Sequence, residues 1–164
     1  MGRHMKKELQ EKLCLSLTDK GVATLLISWT EVDRLLEKQE YAAAVLVAAI
    51  NVEFVLKDHL RQFKDSHPNL CIANSGLKSL YGRDPDELTL GSSFKLARGL
   101  TDCEFALKGN WQEQIRPIIE PRNNIAHCRG YFARFTQLKV LTEDQIRKLL
   151  DNVHKFCNAN PPTR

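Results

Sequence analysis

A long stretch without glycine or proline, residues 41–63, constrains the fold of this chain more than any other feature. Its first part, residues 42–50, is entirely apolar, and the remainder places apolar side chains at helical spacing. A helix that is apolar on all sides at one end is buried at that end, because every face there must leave water. We therefore predict a central core helix over residues 41–63. The apolar run is far shorter than the ~20 residues that cross a bilayer, so we expect no membrane partner.

Several other segments show the apolar period of amphipathic helices, and none alternates as a strand does. These segments span residues 6–17, 22–38, 89–100, 110–129 and 142–157. Glycines and prolines punctuate a long connection over residues 64–88, where we expect short helices at 76–81 and 85–88. The sequence therefore predicts an all-α fold, a helical bundle of roughly four to six helices with a long 64–88 connection.

Capping and breaking signals indicate where these helices begin and end. Thr142 and Gln145 have the spacing of a capping box, and Thr89 is a candidate N-cap. Pro117 and Pro121 each remove a backbone donor from the helix that contains them. We therefore predict that this helix kinks or breaks there.

Length and cysteine content indicate one domain in a reducing compartment. Of the 164 residues, we expect residues 1–5 to be a cloning scar, 6–158 a single helical domain and 159–164 a disordered tail. The five cysteines are odd in number and widely spaced, and they lack a CxxC pattern, which favours reduced thiols and a cytoplasmic location. The formal net charge of +4 permits nucleic-acid binding without indicating it, because no long basic run concentrates the charge.

The helix that contains Arg122 carries this arginine on its apolar side. Arg122 continues the stripe of large apolar residues, whereas Arg116, Glu120, Asn123 and His127 form a separate polar stripe. Arg122 lies about 140° around the helix from His127, at about 100° per residue. An unpaired buried guanidinium is very costly, so Arg122 must meet a carboxylate, a phosphate or solvent in a cleft.

Arginine, asparagine and histidine at this spacing suggest phosphodiester cleavage. A histidine titrates near neutral pH, so His127 can take a proton from a ribose 2′-hydroxyl or give one to a leaving oxygen. Arg122 can stabilise the charge that grows on phosphate oxygens, and Asn123 can orient the phosphate or the histidine ring. With the 2′-hydroxyl as nucleophile we expect neither a metal nor another cofactor.

The run Arg-Asn-Asn-Ile-Ala-His at residues 122–127 resembles the active-site motif of the HEPN (higher eukaryotes and prokaryotes nucleotide-binding) family of RNA-cleaving domains. Its setting is similar as well, late in a helical domain that has a long apolar core helix. The resemblance implies a metal-independent endoribonuclease with Arg122, Asn123 and His127 as catalytic residues. It also implies a homodimer, in which two copies of the motif surround one RNA phosphate. Some members carry a supporting acid or amide on the core helix, a part that Glu53 or Asn51 could take.

Other residues around the motif are candidates for RNA binding. Arg116 shares the polar stripe, and Arg129, Tyr131 and Arg134 belong to a basic and aromatic cluster just after the motif. Such a cluster can stack a base or grip a phosphate backbone. The alternative is that its aromatic residues anchor the loop to the core.

Structural alternatives exist for the motif itself. Arg122 could form an ion pair with Glu120, Glu53 or another acid, and His127 could cap the C-terminus of its helix, where the dipole favours a cation. The functional alternative is a non-catalytic HEPN-like module for dimerisation or for binding RNA or protein, with an inhibitory or scaffold protein as partner. A nucleotide-binding helper for a transferase is a third interpretation, based on the family alone. Whether the domain is an enzyme therefore stays open at this point.

Overall fold

The computed structural model describes residues 16–17, 23–24, 29–67, 84–100, 107–127 and 141–162. Five α-helices carry the fold within these residues, which confirms the all-α prediction. They are α1 (Trp29–Glu37), α2 (Tyr41–Ser66), α3 (Leu90–Arg98), α4 (Trp111–His127) and α5 (Glu143–Ala159). A single 3₁₀ turn, Pro85–Glu87, precedes α3, and a two-residue antiparallel pair, β1 (Ser16–Leu17) with β2 (Ala23–Thr24), precedes α1.

The predicted central helix is α2, and it contacts each of the other four helices. Ala48, Val52 and Leu56 on this helix are completely buried. The predicted central position over residues 41–63 is therefore confirmed. The helix extends three residues further than predicted, to Ser66, so the start of the predicted 64–88 connection is helical. The short helix predicted at 76–81 lies outside the described residues.

The core forms where α1, α3, α4 and α5 place their apolar stripes against α2. The completely buried side chains of these four helices close it from all sides: Val32, Leu90, Ile115, Ile118, Val153 and Phe156. Burial of such side chains contributes roughly 1.5–3 kcal/mol each relative to exposure, which is why the apolar periods predict the helices well.

The N-terminal predictions are partly wrong. Ser16–Leu17 pairs with Ala23–Thr24 as an antiparallel strand pair, so neither segment belongs to the helices predicted over residues 6–17 and 22–38. Within the described residues, α1 covers Trp29–Glu37 of the helix predicted over 22–38. The two strand segments were predicted wrongly because a short run of residues fits a strand and a helix equally well. The other residues of these two predicted helices before Trp29 lie outside the described residues.

Of the kink or break predicted at the prolines of α4, the break does not occur. The helix is continuous from Trp111 to His127, with both prolines inside. Pro117 and Pro121 leave the carbonyl groups of Glu113 and Pro117 without their usual helical donors. Both of these acceptor residues are exposed, so water can bond their carbonyl oxygens. Packing of the buried stripe on the opposite side then holds the helix in one piece.

The helix caps agree with the sequence. Thr142 Oγ1 accepts from the Gln145 amide at 3.3 Å, and Gln145 Oε1 accepts from the Thr142 amide at 2.9 Å, which completes the capping box. Thr89 caps α3 through the Ser92 amide.

At the C-terminal end of α5, Asn160 Oδ1 accepts from the Lys108 amide at 2.7 Å. The folded domain therefore includes residues just beyond the boundary predicted at 158.

We expect His59 to make stability depend on pH. Burial lowers the pKa of His59 below its usual value, and the neighbouring Asp58 opposes this change. The unfolded chain then binds a proton at a pH where the folded protein does not, so the free energy of unfolding falls as the pH drops through about 6.5. Urea denaturation between pH about 7.5 and 5.5 should show this fall, and His59→Gln should flatten it. His154→Gln retains His59 and should keep the slope; equal slopes for wild type and His59→Gln would contradict the prediction.

Candidate functional site

The sequence motif lies in the last turns of α4, where Arg122 faces the core helix. Arg122 Nη2 donates to Glu53 Oε2 on α2 at 3.4 Å, and Arg122 Nη1 donates to Asn123 Oδ1 at 3.0 Å. The Arg122 side chain is 24% exposed and that of Glu53 is 20% exposed. The guanidinium is thus fixed by two acceptors in a partly desolvated position, from which it still reaches solvent.

The Glu53 carboxylate contacts two cations at once. Its Oε1 lies 2.8 Å from Lys57 Nζ, one turn further along α2, while its Oε2 accepts from Arg122. The Lys57 side chain is only 16% exposed, which makes it the most buried of the three charged side chains. Two positive charges share one carboxylate, so this cluster carries a net positive charge beside the motif.

The pairing with Glu53 answers the question raised by the apolar position of Arg122. The guanidinium meets a carboxylate, as the cost of an unpaired buried charge requires. That carboxylate belongs to the same chain, so Arg122 does not need a second subunit to supply its counter-charge. Of the two acids named in the ion-pair alternative, Glu53 is the partner of Arg122, while Glu120 lies on the exposed side of α4.

Asn123 and His127 continue α4 towards its end. Asn123 is half-buried and accepts the hydrogen bond from Arg122, so the long arginine side chain partly closes the angle between the apolar and polar stripes. His127 is the last residue of α4, and its backbone lies one turn beyond Asn123. Its side chain lies outside the described part of the chain.

The remaining predicted residues are spread over different places. Asn51 lines a small hollow beside Trp29 and His154, on the side of α2 away from Glu53, so the structure does not bring Asn51 to Arg122. Arg116 is exposed on α4, on the polar stripe that also contains Asn123. The predicted basic and aromatic cluster lies outside the described residues; it consists of Arg129, Tyr131 and Arg134.

A groove on another side of α4 was missed by sequence reasoning. It has a volume of about 480 Å³ and lies between the start of α2, α4 and α5. Pro117, Pro121 and Ile125, spaced four residues apart, form its α4 wall, and Ile146 of α5 faces them. This apolar spacing was readable in the sequence, but the prolines suggested a helix break instead of a lining surface.

The hollow beside Asn51 has a volume of about 160 Å³ and contains an aromatic stack. The Trp29 and His154 rings are 4.4 Å apart and nearly parallel. Cys157 also lines this hollow, and burial raises the pKa of its thiol to about 12. This thiol is therefore protonated near neutral pH and is a poor nucleophile.

Metal-binding and membrane-spanning features can be stated only for the described residues. Among them, no three histidine, cysteine, aspartate or glutamate side chains are grouped so that they could hold a metal ion. No helix in that part of the chain combines the length and the apolar character needed to cross a bilayer. In comparisons with known proteins, no protein-family model, no curated protein and no solved structure matches this chain.

We expect the Glu53 carboxylate, which contacts two cations, to contribute more to the free energy of unfolding than an exposed carboxylate does. Glu53→Gln leaves the Lys57 and Arg122 cations close together without their counter-charge, which should lower the free energy of unfolding by about 1–3 kcal/mol. The matched control is Asp151→Asn, which breaks the exposed ion pair with Lys155. That change should cost less than about 1 kcal/mol in the same urea titration. A Glu53→Gln effect no larger than that of the control would contradict this view of the cluster.

Proposed function

We propose that this domain is a metal-independent endoribonuclease of the HEPN type that acts on RNA in the cytoplasm. Arg122, Asn123 and His127 are its catalytic residues, and Glu53 supports them. The observation that carries the proposal is the anchored pair of Arg122 and Asn123, held against the core helix one turn before His127. A cation and an amide fixed next to the position of a histidine form a suitable set for a phosphodiester.

The proposed reaction uses the 2′-hydroxyl of the RNA as its nucleophile. His127 takes the proton of that hydroxyl while O2′ attacks phosphorus and the bond from phosphorus to O5′ breaks. A protonated histidine returns a proton to the leaving O5′. The Arg122 guanidinium stabilises the charge on the non-bridging oxygens, and Asn123 orients the phosphate. The products are a 2′,3′-cyclic phosphate and a 5′-hydroxyl.

A homodimer would supply one histidine as the base and a second, protonated histidine as the acid. In the proposed dimer, Arg122 and His127 of both chains surround one phosphate. Arg116, exposed on the polar stripe of α4, and the cluster of Arg129, Tyr131 and Arg134 would contact the flanking nucleotides. The family resemblance and the excess of one cation over one carboxylate among Lys57, Arg122 and Glu53 support this arrangement.

A second candidate function is a non-catalytic HEPN-like module that binds RNA or a scaffold or inhibitory protein. The ion pair between Arg122 and Glu53 favours it, because an arginine that is already paired within its chain can have a purely structural role. The two candidates differ in one outcome, turnover of RNA, which the following experiment measures.

Cleavage of RNA in the presence of EDTA tests the proposal. We expect the purified domain to cut unmodified RNA without added metal, leaving 2′,3′-cyclic phosphate ends. His127→Ala and Arg122→Ala should each lower the rate at least about 100-fold, because general acid–base catalysis and charge stabilisation each contribute that much. Arg147→Ala is the matched control, since this exposed arginine also pairs with a glutamate but lies on α5.

The pattern across these variants separates the candidates. Cleavage that survives both His127→Ala and Arg122→Ala would come from a contaminant or from another site, and would contradict the proposed roles. A folded wild-type domain that binds RNA without cutting it would support the non-catalytic module. A strict monomer in light scattering would contradict the composite dimeric site.

A further inference from the structure

Lys57 lies on α2 one turn after Glu53 and competes with Arg122 for the same carboxylate. The distance from Lys57 Nζ to Glu53 Oε1 is 2.8 Å, whereas Arg122 Nη2 lies 3.4 Å from Glu53 Oε2. Charge attraction falls with distance, and the lysine is also the more buried cation. The negative charge of Glu53 is therefore balanced mainly by Lys57 and less by Arg122.

A second contact holds Lys57 in this position. Its ammonium donates to the backbone oxygen of Asp86 at 2.8 Å, in the 3₁₀ turn that precedes α3. Asp84 caps that turn through the Asp86 amide, and Arg61 pairs with the Asp86 carboxylate. The turn is thus tied to α2 at two points, and Lys57 is directed towards Glu53 instead of into solvent.

The Arg122 guanidinium keeps donors for an external ligand. A guanidinium has five N–H groups. Among the described residues one bond leads from each Nη, one to Glu53 and one to Asn123. With two cations sharing one carboxylate, the cluster holds a positive charge that is not balanced within it. A partly exposed arginine in this state is suited to an anion such as an RNA phosphate.

We propose that Lys57 is a positioning residue that keeps Arg122 available for RNA phosphate by taking the larger share of the Glu53 charge. The inference rests on the proposed function insofar as RNA is the ligand, and it does not require turnover. Without Lys57, both Glu53 oxygens are free to accept from Arg122 as a two-pronged pair. Arg122 then gives Glu53 two hydrogen bonds instead of one, which leaves it fewer donors for phosphate, and RNA binds more weakly.

The experiment measures binding of a fluorescent 2′-O-methyl RNA oligomer by anisotropy, at constant salt. This probe lacks the 2′-hydroxyl nucleophile, so binding is separated from cleavage. The test variant is Lys57→Met, with Lys57→Arg as the conservative replacement. Lys155→Met is the matched control, because Lys155 likewise pairs with an acid four residues earlier on its own helix, but this pair with Asp151 is exposed and lies on α5. A fourth protein combines Lys57→Met with Glu53→Gln, and thermal melting verifies that each variant is folded.

We expect Lys57→Met to raise the Kd about tenfold, a typical effect of losing one charge-assisted contact. Lys57→Arg should restore binding, and Lys155→Met should change the Kd less than about twofold, since exposed charges contribute little. In the Glu53→Gln background, Lys57→Met should have no further effect, because there is no carboxylate left to share. If Lys57→Met does not fold, Lys57→Gln takes its place in the same comparison.

Three results would overturn the inference. The first is an equal loss for Lys57→Met and Lys155→Met, which would indicate general charge attraction. The second is the same loss in the Glu53→Gln background, which would indicate that Lys57 acts without Glu53. The third is no binding of the oligomer by the wild-type domain. Binding that behaves as expected, without cleavage of unmodified RNA, would overturn the proposed reaction and leave the role of Lys57 standing.

Discussion

The carboxylate of Glu53 joins the central helix α2 to the end of α4, and the geometry of the candidate site depends on it. Helix α2 is fixed by the core, since four other helices pack against it. Glu53 on this fixed helix accepts a hydrogen bond from Arg122, and Arg122 in turn donates to Asn123, so both motif side chains are held in position. A charged group on the apolar side of a helix is thereby held in place without a second chain.

This arrangement gives the two sides of α4 different properties. On one side, Arg122 meets the charged residues of α2, and the cluster keeps a net positive charge. On another side, Pro117, Pro121 and Ile125 line an apolar groove next to α5. The prolines remove two backbone hydrogen bonds, but they do so where the acceptor residues are exposed, so the helix stays continuous up to the motif.

Much of the fold follows from local rules that a sequence displays directly. The core helix could be predicted because residues 41–63 lack any breaker, and the start of α5 could be predicted from the Thr142 and Gln145 box. The strand pair before α1 could not be predicted, since its short segments fit both the helical period and the strand period. The sequence also left open whether α4 kinks or breaks at its prolines, because its continuity depends on tertiary packing of the opposite face.

The candidate site was predictable only in part, for a similar reason. The motif residues and the need of Arg122 for a partner follow from sequence and helix geometry. The sequence does not show whether Glu53 or Asn51 contacts Arg122, because that depends on how α2 is rotated in the bundle. The contact of Lys57 with Glu53 follows the usual four-residue spacing of charges on a helix, but its position beside Arg122 depends on the same rotation of α2.

The most direct test of this account is a double-mutant cycle between Glu53 and Arg122. The free energy of unfolding would be measured by urea denaturation for the wild type, Glu53→Gln, Arg122→Gln and the double variant. If Glu53 anchors Arg122, the two changes should be coupled by about 1–2 kcal/mol, the range of contacting charged residues. Effects that add to within about 0.3 kcal/mol would show that the two side chains do not interact, and would contradict the account.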